Sequence, residues 1–195
     1  GFVSLYGTAD LAMAVWLDGR NTLPGDDHAT TASSAMTLRH GTLSDAGARA
    51  ASDIELDDRV CDCCKTGIAL TDEGPIVVYR DRSQDEIRDI AVVRRTVAGW
   101  SEPSPVHADG WRIDACPVNG PSIAARDSFV AVAWFTAPDE PRIRLAFSDD
   151  AGRSFATPIE VANGRVLGRV DLVLLRDGRA VVSWLADGPG GAAIY

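Results

Sequence analysis

The chain has 195 residues, 46% of them hydrophobic, which is enough for a single domain to bury a sizeable core. Its formal net charge of −9 argues against nucleic acid and anionic membrane surfaces as partners, although local arginines leave room for a small anionic ligand. No apolar run is long enough to cross a bilayer as a helix, and no signal peptide is recognisable.

Four apolar segments that each end near a large aromatic residue recur along the chain. Each follows a turn signal, and the alternation of side chains favours strands over helices. The aromatic residues are separated by 63, 55 and 50 positions. Four short strands in roughly 50 residues are typical of a β-propeller blade. The four segments are residues 11–18 with Trp16, 74–81 with Tyr79, 129–134 with Trp134 and 179–186 with Trp184.

A polar stretch and then a strand pair follow the aromatic residue in the first three units. In the first unit we expect a surface loop over residues 19–34 and a hairpin at residues 36–47. The second unit places its strand pair at residues 87–95 and 104–106, and the third at residues 143–147 and 158–161. These patterns predict a single all-β domain with blade units at 1–60, 61–115, 116–166 and an incomplete unit at 167–195.

The octapeptide at residues 148–155, Ser-Asp-Asp-Ala-Gly-Arg-Ser-Phe, links the two strands of the third unit. An aspartate in such a turn accepts hydrogen bonds from backbone N–H groups two residues on, and a glycine adopts the left-handed conformation that the turn requires. The final aromatic side chain is expected to return to the blade core. We therefore predict a structural role for Ser148, Asp150, Gly152, Ser154 and Phe155.

This octapeptide resembles the Asp-box, or BNR repeat, of the sialidase (neuraminidase) superfamily. With the blade repeat, the resemblance implies a sialidase-like β-propeller of which this chain holds about three and a half of a probable six blades. Open blade edges would favour self-association. The resemblance also implies an exo-α-sialidase-type glycoside hydrolase that acts on or binds an acidic glycan.

The catalytic motifs of sialidases are not recognisable in this sequence. Sialidases carry an Arg-Ile-Pro motif followed by an acid-base aspartate, whereas Arg112-Ile113-Asp114 lacks the proline and lies in the wrong blade. Sialidases use a tyrosine nucleophile, and no tyrosine here can be assigned that role. The chain is then either part of a longer enzyme or a non-catalytic relative, and we assign no catalytic residue.

Propeller topology predicts that the loops after the aromatic residues share one rim with the links between blades, opposite the octapeptide. Arginine is suited to bidentate binding of a carboxylate, such as that of sialic acid. The alternative is that these charges form solvated ion pairs that contribute little. The candidate ligand-binding residues on this rim are Arg80, Arg82, Asp85, Glu86, Arg88, Arg112, Asp114, Arg169 and Asp171.

The four cysteines are expected to converge on the same rim. Cys61 and Cys116 each lie 18 residues before the aromatic residue of their own unit, so they hold equivalent positions in consecutive blades. Three interpretations remain open. A disulfide, Cys61–Cys116 or Cys63–Cys116, would join neighbouring blades. A copper or zinc ion would bind thiolates of Cys61, Cys63, Cys64 and Cys116, with His107 as a further ligand. Otherwise the thiols are buried and inert.

Two hypotheses for function follow from these features. The first is a sialidase-type enzyme whose arginine-rich rim holds an acidic sugar. The second is a non-catalytic secreted or periplasmic propeller whose cysteine cluster is a disulfide or a soft-metal site. The propeller fold by itself does not choose between them, because propellers support many functions.

Overall fold

The computed structural model describes residues 2–7, 12–22, 35–43 and 52–195. Within these ranges the regular secondary structure consists of sixteen β-strands, which form four antiparallel sheets. Among the described residues there is no helix that could span a membrane. The predicted turn at residues 44–47 and residues 23–34 of the predicted loop lie outside the described part of the chain.

The first two sheets are meanders in which consecutive strands pair. The first contains β1 (Val3–Gly7), β2 (Ala12–Asp18), β3 (Met36–Leu43) and β4 (Ile54–Val60). The second contains β5 (Gly67–Thr71), β6 (Gly74–Arg80), β7 (Ile90–Thr96), β8 (Gly99–Trp100) and β9 (Ser104–Pro105). In the second sheet both β8 and β9 pair with β7.

The last two sheets repeat this arrangement. The third contains β10 (Ser122–Arg126), β11 (Phe129–Thr136), β12 (Arg142–Ser148) and β13 (Ile159–Asn163). The fourth contains the three strands β14 (Val166–Leu174), β15 (Ala180–Gly188) and β16 (Gly191–Ile194).

The first strands of successive sheets lie side by side, and this places the four sheets as consecutive blades of a propeller. Strand β5 contacts both β1 and β10, and β10 contacts β14. The aromatic residue of each predicted unit lies in the second strand of its sheet, in β2, β6, β11 and β15. The prediction of an all-β propeller from the repeat is confirmed.

The hydrophobic core fills the spaces between neighbouring blades. Between the second and third blades, Ile76 and Val78 of β6 pack against Val130 and Trp134 of β11. Similar clusters lie between the first and second blades and between the third and fourth. Strands β6 and β11 are apolar along most of their length, because successive side chains point to opposite faces and each face packs against a different neighbouring blade.

The octapeptide turn joins β12 to β13 and lies against the second blade. The Asp150 carboxylate accepts a hydrogen bond from the backbone N–H of Ser154, four residues on rather than the predicted two, at 2.9 Å. Gly152 has a φ of +80°, and a Cβ atom there would lie 2.2 Å from Cδ1 of Ile76. Phe155 packs against the core between the second and third blades. The turn therefore serves packing between blades.

The outermost blades leave apolar side chains exposed on one face. Val3 and Leu5 of β1 are 60% and 68% exposed. In the fourth blade Val173 of β14 and Val181 of β15 are register partners, and both are exposed. In β14 these exposed positions alternate with buried ones that face the third blade.

Candidate functional site

The rim opposite the octapeptide turn is built from three segments: residues 61–66, 81–89 and 106–121. We call these segments the cysteine rim. The backbone N–H of Cys61 donates to Arg80 O at 3.0 Å, and that of Arg88 donates to Trp111 O at 2.8 Å. The links between blades are therefore joined to the loop that follows β6. These contacts bring together side chains that are far apart in the sequence.

The four cysteines meet at this rim. Cys63 and Cys116 form a disulfide, with their Cα atoms 6.2 Å apart. Cys61 and Cys64 are free, buried thiols whose Sγ atoms are 3.2 Å apart. The Sγ atom of Cys61 also lies within 4.8 Å of those of Cys63 and Cys116. The disulfide joins the link before the second blade to the link before the third, which is one of the two pairings expected from the sequence.

A soft metal ion and the disulfide are alternatives at this cluster. Thiolates bind copper(I) and zinc, but a sulfur atom in a disulfide is not a thiolate. Within the described residues, the group of potential metal ligands at this rim is Cys61, Cys63 and Cys116. The expected further ligand, His107, lies elsewhere, with its Nδ1 atom 2.9 Å from Oδ1 of Asp109.

Arg80 is buried behind the thiols rather than open to a ligand. Its side chain is 1% exposed, and its Nε and Nη2 atoms donate to Asn119 O at 2.8 Å and Phe135 O at 2.6 Å. Its Nη1 atom donates to Arg88 O, and its guanidinium carbon lies 4.9 Å from the centre of the Trp111 ring. The ion pairs of the described residues do not include Arg80. The guanidinium is therefore held by carbonyl groups and a ring.

Glu86 anchors two further arginines that the sequence offered as ligand-binding candidates. Its carboxylate lies 2.9 Å from Nη2 of Arg82 and 2.6 Å from Nη2 of Arg88. Both arginines are buried, and Nη1 of Arg88 also lies 3.4 Å from Sγ of Cys61. Arg80, Arg82, Arg88 and Glu86 thus have internal partners, and in this structure they organise the rim rather than present a binding surface.

The surroundings of Cys61 favour its thiolate form. A hydrogen bond from the Cys64 thiol lowers the pKa of Cys61 most, and the positive charges of Arg88 and Arg80 lower it further, against the opposing effect of burial. The same pairing raises the pKa of Cys64, and burial acts in the same direction. The contact of Arg88 with Cys61 Sγ therefore favours Cys61 over Cys64 as the thiolate of the pair.

Two adjoining clefts at the inner strands hold the accessible candidates Arg169 and Asp171. One cleft has a volume of about 290 Å³ and includes Asp171, and the other has a volume of about 100 Å³ and includes Arg169. Lys65 lines both clefts. The remaining candidates Asp85, Arg112 and Asp114 are exposed on the rim and do not line these two clefts.

Contacts between blades hold the walls of these clefts in place. Lys65 Nζ donates to Val170 O at 2.7 Å, and Ser122 Oγ donates to Oδ1 of Asp171 at 2.8 Å. Asn119 Oδ1 accepts a hydrogen bond from the backbone N–H of Arg169 at 2.9 Å. Burial lowers the pKa of Lys65, Arg169 lowers it further, and Asp171 opposes both. Side chains from three blades therefore form one site.

Two cleft residues have unusual backbone conformations. Val118 and Arg169, which line the smaller cleft, have φ values of +52° and +55°. Positive φ is rare for residues other than glycine, and rarest for β-branched ones such as valine. Strained backbone of this kind is concentrated at functional sites.

Comparison of the sequence with family models and with curated proteins finds no match. The structure resembles that of Trypanosoma rangeli sialidase, with a TM-score of 0.60, 9% identity, and coverage of 100% of this chain and 35% of that one. It also resembles xylan β-1,4-xylosidase from Bacillus halodurans C-125, with a TM-score of 0.56, 13% identity, and coverage of 98% and 40%. The chain folds as a sialidase-like β-propeller. It spans well under half the length of either enzyme, and identities this low show the fold alone.

Sequence reasoning missed Lys65 and the pairing of Cys61 with Cys64 in this propeller. Lys65 is the single lysine of the chain, which was a usable signal. Cys61 and Cys64 have the Cys-x-x-Cys spacing that is typical of redox-active pairs. That spacing was visible in the sequence but was obscured by Cys63, which lies between them.

The same rim contains a half-buried carboxylate that is expected to make stability depend on pH. Burial raises the pKa of Asp81 to about 6, and neighbouring Asp57 adds to the effect. Asp57 itself accepts a hydrogen bond from Tyr79 Oη at 2.5 Å. A carboxyl group with a raised pKa disfavours the folded state when it ionises. Its cost is therefore present above pH 6 and disappears as the pH falls from about 6 towards the unfolded value near 4.

We expect Asp81→Asn to raise the free energy of unfolding by about 1–2 kcal/mol at pH 8, after allowance for partial solvent screening. The gain should be much smaller at pH 4, where Asp81 is protonated in the folded protein and largely protonated in the unfolded chain as well. Urea unfolding at the two pH values measures the difference. Asp85→Asn, at an exposed position in the same loop, is the control and should show no such dependence. An equal gain from Asp81→Asn at both pH values would contradict the assignment.

Proposed function

We propose that this sialidase-like propeller binds an acidic sugar where the two clefts meet at Lys65. The observation that carries the proposal is the placement of Lys65 and exposed Arg169 on adjoining clefts, in a chain whose net charge is −9. Two cations at one cleft favour an anionic ligand, although the protein as a whole is acidic.

The groups around the two cations suit a sugar that carries a carboxylate. The Arg169 guanidinium can bind a carboxylate with two parallel hydrogen bonds. The hydroxyl groups of Ser4, Thr66 and Ser122 line the larger cleft together with Asp171, and such groups exchange hydrogen bonds with sugar hydroxyls. Both clefts are small, so we propose a single terminal sugar residue as the ligand. The positive φ angles of Val118 and Arg169 support a functional site here.

Both structural neighbours are carbohydrate enzymes, and this supports a glycan as the ligand. The Trypanosoma rangeli sialidase structure holds 2,3-difluorosialic acid, and the Bacillus halodurans enzyme is a xylan xylosidase. The charge of Lys65 and Arg169 favours an acidic sugar over a neutral one. We include in the proposal that the octapeptide is an Asp-box and that the whole protein acts as an exo-α-sialidase.

The test is binding of N-acetylneuraminic acid, measured by isothermal titration calorimetry with neutral xylose as the comparison ligand. We expect the acidic sugar to bind and Arg169→Gln to weaken that binding by about tenfold or more, since a charged pair at a partly desolvated site contributes about 1.5–3 kcal/mol. Arg165→Gln is the matched control, because Arg165 is exposed and pairs with Asp187 away from the clefts.

Equal binding of both sugars, or equal effects of the two substitutions, would contradict the site. The sialidase activity is tested separately with a fluorogenic sialoside on the full-length protein, with an active sialidase as positive control. Release of the fluorophore would support hydrolysis. Binding without release would assign the protein as a non-catalytic glycan-binding propeller.

We also propose export to an oxidising compartment, because structural disulfides persist in secreted and periplasmic proteins. The Cys63–Cys116 disulfide supports this location. Apolar side chains are exposed on the outer faces of the first and fourth blades, so we propose that something covers them. The covering partner is either further blades of the same protein, which would complete a ring of six, or a second copy of the chain.

A further inference from the structure

We propose that the cysteine rim is a thiol–disulfide relay in which the buried Cys61/Cys64 pair exchanges with the Cys63–Cys116 disulfide. The relay uses none of the cationic side chains of the clefts, and its test does not require a sugar. Four observations carry it: the spacing of the thiols, their distances, their burial, and the cations around them.

The Cys61/Cys64 pair is arranged to form a disulfide of its own. The two residues have Cys-x-x-Cys spacing, and their Sγ atoms are 3.2 Å apart. A disulfide bond requires about 2.05 Å, so a movement of about 1 Å closes the pair. Both residues are buried, which keeps external reagents from the pair.

The existing disulfide lies within reach of the same pair. Cys61 Sγ is within 4.8 Å of the sulfur atoms of both Cys63 and Cys116. Cys63 is half-buried and Cys116 is exposed. The disulfide therefore lies between the buried thiols and the solvent, so it can connect the buried pair with a thiol or disulfide outside the protein.

The charges around the thiols favour attack by Cys61. Arg88 Nη1 lies 3.4 Å from Cys61 Sγ, and buried Arg80 has carbonyl and aromatic partners but no carboxylate among the ion pairs of the described residues. Nearby cations stabilise a thiolate, which is the nucleophile of thiol–disulfide exchange. Cys61 is the thiol that contacts both an arginine and the neighbouring thiol.

The exchange is balanced without an external oxidant. The Cys61 thiolate attacks Sγ of Cys63, a Cys61–Cys63 bond forms, and Cys116 leaves as an exposed thiolate. Cys64 then loses its proton, which restores the Cys116 thiol, and attacks Sγ of Cys61. A Cys61–Cys64 bond forms and Cys63 leaves as a thiolate. One disulfide and two thiols are present before and after, and the oxidised pair has moved from the surface to the interior.

A tryptic digest without reductant distinguishes the two disulfides. Trypsin cleaves after Arg59, Lys65, Arg112 and Arg126, so Cys61, Cys63 and Cys64 share one peptide and Cys116 lies in another. The Cys63–Cys116 disulfide links the two peptides, whereas a Cys61–Cys64 disulfide leaves them separate. Exchange is first quenched with acid, the protein is unfolded in urea, and its free thiols are labelled with N-ethylmaleimide. Mass spectrometry then identifies the labelled positions.

The wild-type chain is equilibrated at several ratios of reduced to oxidised glutathione. Among molecules with one disulfide, we expect some whose two tryptic peptides are not linked and whose label is on Cys63 and Cys116. In Cys64→Ser the second step is blocked. We expect this variant to accumulate the Cys61–Cys63 bond, with label on Cys116 and none on Cys61. The matched control is Cys61→Ser, in which the two peptides should stay linked and Cys64 should carry the label.

Linked peptides with label on Cys61 at every glutathione ratio, in both the wild type and Cys64→Ser, would overturn the relay. Retention of one zinc or copper(I) ion per chain by the reduced wild type, with no disulfide after the protein is returned to oxidised glutathione, would also overturn it. That result would assign the thiols to a metal site. The wild-type measurement remains decisive even if a variant fails to fold, and the tryptophan fluorescence of the same samples shows whether the propeller is intact.

Discussion

Replacement of Arg80 by methionine is expected to lower the free energy of unfolding by about 3 kcal/mol or more. Methionine fills much of the same space but cannot donate to the carbonyl groups of Asn119, Phe135 and Arg88, which Arg80 joins across two blades. Each carbonyl would remain buried without that donor. Urea unfolding of the protein with its Cys63–Cys116 disulfide intact, followed by tryptophan fluorescence, measures the decrease in the free energy of unfolding.

Arg112→Met is the matched control for this substitution. Arg112 lies on the same rim, but its side chain is exposed, so the expected change is within about 0.5 kcal/mol. A loss below about 1 kcal/mol for Arg80→Met would show that the three carbonyls find other partners, and it would contradict a structural role for Arg80. A large loss would explain why this arginine is not available for a ligand.

Gly120→Ala is expected to be the second strongly destabilising substitution, by about 3 kcal/mol. A Cβ atom at Gly120 would lie 2.0 Å from the carbonyl oxygen of Lys65 and 2.7 Å from its backbone nitrogen. These are backbone atoms of the link that precedes the neighbouring blade, so no side-chain rotation relieves the clash. The links before the second and third blades would have to separate.

This substitution should also remove sugar binding, because Gly120 and Lys65 line the same cleft. Gly190→Ala is the control: nothing lies within 4 Å of its added Cβ atom, and its backbone lacks the positive φ of the strained glycines. We expect that variant to unfold within about 0.5 kcal/mol of the wild type. Thermal unfolding and calorimetric titration on the same samples separate loss of fold from loss of the cleft. Wild-type stability in Gly120→Ala would contradict the close approach of the two links.

The links before the second and third blades serve both proposals. Cys63 and Lys65 belong to the first link, and Cys116 and Asn119 to the second. The disulfide therefore lies beside the smaller cleft, which Cys63 also lines. A change in the oxidation state of Cys63 would alter one wall of the proposed sugar site. The two proposals nevertheless fail separately, because one is measured by sugar binding and the other by disulfide mapping.

The cysteines illustrate how far the sequence leads and where it stops. The equal distances from Cys61 to Tyr79 and from Cys116 to Trp134 placed these cysteines at equivalent points of consecutive blades, and this is enough to expect them on one rim. The choice of partners depends on the direction of each side chain. Cys61 and Cys64 lie on the buried side of the link, whereas Cys63 points towards Cys116.

The arginines show the opposite case. Arginine side chains are mostly exposed in proteins, so Arg80, Arg82 and Arg88 looked like an open anion-binding surface. Whether they are exposed depends on how closely the second and third blades approach, and no local pattern encodes that distance. The carbonyl groups of Asn119 and Phe135 that accept from Arg80 come from segments that reach this loop only when the blades pack. Glu86, in contrast, lies in the same loop as Arg82 and Arg88.

The sequence by itself determined the strands, the blade repeat and the rim on which the unusual residues lie. These features follow from local causes: the alternation of apolar side chains, the turn residues, and the regular spacing of the aromatic residues. Only the tertiary structure decided which side chains are open to a ligand and which thiols are paired. The physical reason is that the clefts and the thiol cluster are formed by links from different blades, whose distances are set by packing between the sheets.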